Sequence, residues 1–302
     1  MKTKQTPRRT TRTSALLVLL PLALMLIMTR DASAQLYYQT NGTNATWTTA
    51  VWGTVAGGPY ATAWSSNSSV VFGVSSTGTN LATFGTTTVS NITVNGSTTI
   101  TASGTVSTVL AGSTVDVASG VTLNWSGQSW STVTNRAIWI KNGGGIWNIG
   151  SQNNQIQGAG AGLTLNAGTV ILGGTTAFGG TNARLTINGG VVAWDGGGGN
   201  TTRNWAGSVT LNGNFGLSNF TASAASFAGG VSNGINNTIN LASNVVVTNL
   251  SGNSFTFSPS ITNTGSLTFT NGATGTGAIK LAGANSFSGG VTLNSGRLNI
   301  NN

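Results

Sequence analysis

One short unit recurs along this chain: an apolar residue, Thr, a second apolar residue, Asn, a turn that usually holds Gly, and then a further apolar run. Leu163-Thr-Leu-Asn-Ala-Gly-Thr-Val-Ile-Leu172, Leu185-Thr-Ile-Asn-Gly-Gly-Val-Val-Ala-Trp194 and Val209-Thr-Leu-Asn-Gly-Asn-Phe-Gly-Leu217 are three copies, and Val291-Thr-Leu-Asn-Ser-Gly-Arg-Leu-Asn-Ile300 is a fourth. Ile92-Thr-Val-Asn-Gly-Ser-Thr-Thr-Ile100 and Val121-Thr-Leu-Asn124 are weaker ones. Apolar-Thr-apolar alternates with period two, so the apolar side chains share one face of a strand and Thr takes the other. Thr and Val suit strands. The Asn-x-Gly that follows tolerates the positive φ of a tight turn. Each unit therefore reads as strand, tight turn, strand and loose return.

The spacing selects how such units assemble. The starts at 163, 185 and 209 lie 22 and 24 residues apart, and 121 to 163 is about two such steps. Isolated hairpins need no fixed long period. Coils of 20–29 residues that stack on one another do, because each buries its neighbour's apolar face. The expectation is an all-β fold without helix, a β-solenoid in which Gly and β-branched residues break any helical period.

Residues 35–72 differ from the rest. Trp47, Trp52 and Trp64 gather there with Tyr37, Tyr38, Tyr60 and Pro59. A terminal coil without a cap would expose its core, so this aromatic-rich stretch is expected to be an N-terminal cap, running into Val70-Val71-Phe72 as an early strand. Residues 73–302 are the repeat region. It is expected to be truncated at its C-terminal end, because the chain stops directly after a repeat.

Lys2, Lys4, Arg8, Arg9 and Arg12 precede an apolar run from Ala15 to Met28, and Ala32-Ser33-Ala34 follows with small residues at the two positions a signal peptidase reads. That order is a secretory signal peptide over residues 1–34, cleaved near Ala34. An uncleaved anchor is the alternative, although the run is short for a span of about 20 residues. The expected localisation is secreted, or associated with a bacterial outer membrane or cell surface. The full chain has 12 Lys and Arg against 3 Asp and Glu. The leader holds six of those bases and one of the acids, so the mature part keeps six bases and two acids, a net charge of +4. Arg136, Lys141, Arg184, Arg203, Lys280 and Arg297 stand singly, which excludes the clustered footprint of a nucleic-acid binder. With 5% charged and 38% hydrophobic residues, the chain is unlike a disordered one, which pairs high charge with low hydrophobicity. There is no Cys, so stability rests on packing and backbone hydrogen bonds.

The final stretch, Gly277-Ala-Ile-Lys-Leu281-Ala-Gly283-Ala-Asn285-Ser-Phe287-Ser-Gly289-Gly290-Val-Thr-Leu-Asn-Ser-Gly296-Arg-Leu298-Asn-Ile300, resembles the autotransporter-associated β-strand repeat, also called the passenger-associated transport repeat. That family typically reads Leu-x-Gly-x-Asn-Thr-Tyr-x-Gly-x-Thr-x-Val-x-x-Gly-x-Leu. Ser286 stands here in place of its Thr and Phe287 in place of its Tyr. The likeness covers residues 277–302, about the last tenth of the mature chain. It implies a single-stranded, right-handed parallel β-helix passenger, exported and displayed at a bacterial surface. Family members normally carry a C-terminal β-barrel or another sorting signal, so membrane contact would come only through export or a missing C-terminal anchor.

Catalytic groups are scarce. His and Cys are both absent, which removes imidazole bases, thiol nucleophiles and most transition-metal sites. Asp116 and Asp195 are the only acids of the mature part, and a glycosidase would need two carboxylates about 5–9.5 Å apart. At a 22-residue period they lie three to four coils apart, about 15–18 Å at ~4.8 Å per coil. Asp195-Gly-Gly-Gly-Gly199-Asn200 looks like a calcium loop, but it is a single copy with the wrong ligands and reads as a surface turn. No metal and no cofactor are expected, and no enzyme. Trp139, between Ile138 and Ile140, and Trp147, after Ile146, are the candidate ligand-binding residues, since an exposed indole face can stack on a sugar. Core packing is the alternative, because Trp is highly buried on average. The recurrent turn Asn residues are expected to stack as ladders that hydrogen-bond from coil to coil. The leading functional expectation is a non-catalytic structural or adhesive passenger-like protein, with surface glycans or host and neighbour-cell surfaces as partners. A carbohydrate-binding β-helix is the second reading, and a polysaccharide lyase or hydrolase the third.

Overall fold

The computed structural model describes residues 35–38, 44–46, 51–65, 67–73, 80–84, 88–102, 108–109, 112–127, 138–149, 160–173, 183–195, 203–219, 224–227, 231–232, 235–236, 238–272 and 277–301. The chain divides into two units, Met1–Ser33 and Ala34–Asn302, and every described residue belongs to the second. The stretch 1–34 expected to be a signal peptide thus lies outside the described residues, as do Trp47 and Gly196 to Asn200.

Strands pair in parallel with the next coil, not with their sequence neighbours, and this makes the protein a β-solenoid. Among the described residues the first sheet has twelve strands and the second eleven, and each coil from Thr114–Val117 to Ile261–Thr262 adds one strand to each. Gly162–Leu165 lies in the first sheet, the chain turns at 166–168, and Thr169–Gly173 enters the second. The turn of the repeat is therefore a corner between two sheets and not a hairpin. Leu163 sits in register with Leu185 and Leu185 with Val209, so the 22- and 24-residue steps read from the sequence are the coil period itself. Among the described residues there is no helix, and none long and apolar enough to cross a membrane. The arrangement is consistent with a right-handed parallel β-helix.

Two of the repeat copies sit on a different side from the others. Leu163, Leu185, Val209 and Ile92 are first-sheet residues. Leu123 and Val291 belong to the second sheet, where Leu123 pairs with Trp147 and Val291 with Leu267. The step from 121 to 163 is accordingly not two whole coils on one side; the first-sheet strand preceding Ile138–Asn142 is Thr114–Val117. The reason is local: apolar-Thr-apolar followed by a turn suits any side of the coil.

Residues 203–301 add a third sheet, built from Arg203–Trp205, Ala224–Phe227, Ser254–Phe257, Ala278–Leu281 and Arg297–Ile300. Val209 pairs with Ile239, a 30-residue step that includes the small antiparallel pair Val231–Ser232 and Ile235–Asn236. Ile239 then pairs with Ile261, back at 22. This insertion is why the period looks loose between 218 and 276. The family-like stretch forms one coil. Ala278–Leu281 lies in the third sheet, and the following segment crosses the first-sheet side, where Ser286 and Ser288 donate backbone N–H groups to Ile261 and Asn263. Val291–Leu293 joins the second sheet and Arg297–Ile300 the third.

The core is the space the sheets enclose. Leu163, Leu165, Leu185, Ile187, Val209 and Leu211 point into it from consecutive first-sheet strands. At the N-terminal edge Gln35–Tyr38 pairs in parallel with Ser68–Phe72, while Trp52–Gly53 runs antiparallel along the outer side of Gln35–Tyr38. Trp52 packs on Tyr38, Trp64 and Phe72 with ring centroids 5.1, 5.0 and 6.3 Å away. Stretch 35–72 therefore contains regular coil strands as well as the aromatic cluster.

Candidate functional site

The two Trp residues singled out as sugar platforms are not exposed. Along Ile138–Asn142 the inward positions are Trp139 and Lys141, and the half-exposed ones are Ile138, Ile140 and Asn142. Trp139 is 1% exposed and Trp147 0%. With Trp125 they form a three-ring cluster, centroids 5.7–6.2 Å apart and planes inclined by 50–73°. These are the tilted and edge-to-face contacts that aromatic quadrupoles favour. The physical reason is area: an indole offers more apolar surface to bury than an isoleucine, so Trp takes the core when the two compete for faces. A stacking platform at Trp139 or Trp147 is thereby corrected to a core role. Trp194 and Trp205 are buried in the same way.

What the outside presents is largely polar, with single charges such as Asp116 and Arg184 among Thr and Asn. Thr164, Thr186 and Thr210 stand in register on the outer face of the first sheet, continued by Asn240 and Thr262. Thr114 and Ile140 extend that column in the other direction. Beside it, at the corner, runs an amide ladder. Asn166 Nδ2 donates to Asn142 Oδ1 at 2.9 Å, Asn188 to Asn166 at 2.7 Å and Asn212 to Asn188 at 3.0 Å. The coil-to-coil Asn ladder expected from the turn positions is present, with all four amides pointing the same way. Asn148 donates to Asn124 at 3.1 Å on the second sheet, and Asn263 to Asn240 at 2.9 Å. Stacked strands lie about 4.8 Å apart, which sets the repeat of both columns.

The two acids are not brought together. Asp116 is opposite Asn142 in the first sheet. Asp195 ends a second-sheet strand in the coil of Arg184–Ile187, three rungs further on. Three rungs are about 14 Å at ~4.8 Å each, too far for a carboxylate pair to share one bond-breaking step.

Lys141 is the residue that composition alone conceals, as one of six scattered bases. It is 0% exposed and lies in register with Val115 and Leu165, both core residues. Its Nζ donates to the carbonyl oxygens of Asn142, Gly143 at 2.8 Å and Ala167 at 3.3 Å. Burial lowers its pKa from 10.5 to about 8, and the Asp116 carboxylate opposes that shift. A signal was available in the sequence: Lys141 falls two residues after Trp139, on the same face, just before Asn142-Gly-Gly-Gly. Asn249 is a second buried polar corner, its Nδ2 donating to Asn253 O at 3.0 Å and its Oδ1 accepting from Ser251 N at 3.0 Å.

No family model, no curated protein and no solved structure matches the chain.

Proposed function

We propose that this protein is an exported, non-catalytic structural and adhesive scaffold, a passenger-like β-solenoid that acts at or beyond a bacterial cell surface after cleavage near Ala34. One observation carries the reading. The large aromatic side chains of the central coils are turned inward, and the outer face they leave carries a column of Thr hydroxyls beside a ladder of Asn amides over the successive coils of Thr164, Thr186 and Thr210, with few charges near it. Such a face offers many weak hydrogen bonds at a fixed pitch, which suits a polar polymer or glycan-coated surface better than a compact small molecule. The basic, apolar, small-residue order of the first 34 residues supports export, and the coil formed by 277–300 supports a relation to autotransporter-associated repeats.

The test uses immobilised polysaccharides and whole bacterial cells. The mature chain is expected to be retained, and a triple variant, Thr164→Ala, Thr186→Ala and Thr210→Ala, to be released while its melting temperature changes little. Retention on none of these surfaces, or robust hydrolase or lyase turnover by the pure protein, would overturn the proposal. The N-terminal sequence of protein recovered outside the cell should begin at Gln35.

A further inference from the structure

A lysine ammonium in the interior of a parallel β-solenoid requires an account. Leaving water costs a charge several kcal/mol unless it gains partners. Lys141 gains three backbone carbonyls, and they come from two successive corners: Asn142 and Gly143 from its own coil, Ala167 from the next. Asp116 belongs to the coil before and sits against the same turn, because a Cβ at Gly143 would collide with its Oδ1 and with Val117 O. Three coils thus converge on one positive charge.

The surrounding glycines allow the close stacking of corners that recurs along the solenoid, and at this corner the ammonium enters it. Gly143 and Gly168 have φ of +71° and +72°, the left-handed region that favours glycine. A Cβ at Gly168 would also collide with the carbonyl oxygens of Gly143 and Gly145 and come to 2.8 Å from Lys141 Nζ. The glycines let the carbonyls of neighbouring corners crowd around the ammonium, and carbonyls crowded without an N–H donor between them would repel one another. The next corner shares the close glycine packing, since a Cβ at Gly190 (φ +79°) would collide with Gly168 O, but Leu165 and Ile187 fill the inward positions in register with Lys141, so no ammonium reaches it.

We propose that these two corners form a cation site of backbone carbonyls whose ligand class is a primary ammonium, and that Lys141 supplies that ammonium from within the chain. The site fastens consecutive coils at the start of the Asn142–Asn212 ladder. The competing account is that Lys141 serves only as a long apolar stem and its ammonium is incidental.

Lys141→Ala removes Cγ through Nζ, which as a free ion is n-propylammonium. In the full chain this variant is expected to melt about 5 °C lower, and n-propylammonium chloride to restore most of the loss. Tetramethylammonium chloride at the same ionic strength carries a positive charge but no N–H, and is expected to restore none. If the Ala variant folds only poorly, its refolding yield in the two salts gives the same readout. Lys141→Met keeps the stem without the charge, and a loss of similar size is expected. A Met variant as stable as the parent, or equal effects of the two salts on the Ala variant, would overturn the proposal.

Discussion

Inward and outward positions alternate strictly along most strands of this protein, so the meaning of a side chain depends on its parity. Thr164, Thr186 and Thr210 are outward, whereas Leu163 and Leu165, one residue either side of Thr164, are buried. Lys141 has inward parity and is the one charged side chain among the buried described residues. Its titration can be followed. The groups around it are Asp116 from Thr114–Val117, while Gly162–Leu165, Ile146–Ile149 and Thr122–Gly127 contribute no ionisable side chain. Burial lowers the folded pKa to about 8 from 10.5. Below pH 8 the lysine is charged in both states and the carbonyls offset part of the cost of burying its charge, and above it the neutral amine still donates N–H to them. Between about 8 and 10.5 the unfolded chain binds more protons than the folded one, so stability from this group rises with pH. Denaturant midpoints of the parent, measured against Lys141→Met, are expected to shift in favour of the parent across that window. A difference that is flat or falls with pH would contradict the assignment.

At the scale of elements, the unit of stability is a pair of corner-linked strands and the core they enclose. Thr122–Gly127 and Ile146–Ile149 bring Trp125 and Trp147 from the second sheet against Trp139 from the first. Trp147→Ala is expected to cost about 3–5 kcal/mol, the range for emptying a large aromatic site in a packed core. Chemical denaturation of the purified variant measures it. Because Trp147 faces inward, the variant that stays folded should bind polysaccharides and cells as the parent does. A selective loss of binding with unchanged stability would return Trp147 to a ligand role. The amide ladder acts at this scale too, since Asn166 and Asn188 each hold the Asn of the coil before and of the coil after.

At the scale of the whole molecule, each coil contacts chiefly the coils before and after it, and such a stack is stabilised by nearest-neighbour terms. The two ends of the described region differ. The first coil strands carry the antiparallel Trp52–Gly53 and its aromatic cluster. The last coil leaves Val291, Leu293 and Ile300 at 37%, 43% and 56% exposure. Hydrogen exchange followed by mass spectrometry is therefore expected to be fastest in Val291–Leu293 and Arg297–Ile300. It should be slowest in the strands Ile138–Asn142, Gly162–Leu165 and Arg184–Ile187, where coils lie on both sides. Uniform protection would mean that the stack opens only as one unit. Much of this architecture was legible beforehand. Apolar-Thr-apolar alternation, Asn and Gly at the turns, and a 22–24-residue step determine strands, corners and stacking by themselves, because each depends on local geometry and spacing. Local geometry does not say which side of the coil a copy occupies, and Val121-Thr-Leu-Asn124 and Val291-Thr-Leu-Asn294 accordingly fall in the second sheet. Alternation likewise separates Trp139 from Ile138 and Ile140 without saying which set is buried, and it marks Lys141 as facing with Trp139 without showing what surrounds it. Those outcomes were decided across the core, where the larger ring wins the interior and where carbonyls from two coils meet one ammonium. Both depend on residues distant in sequence being placed side by side, Lys141 with Ala167 and Trp125 with Trp147.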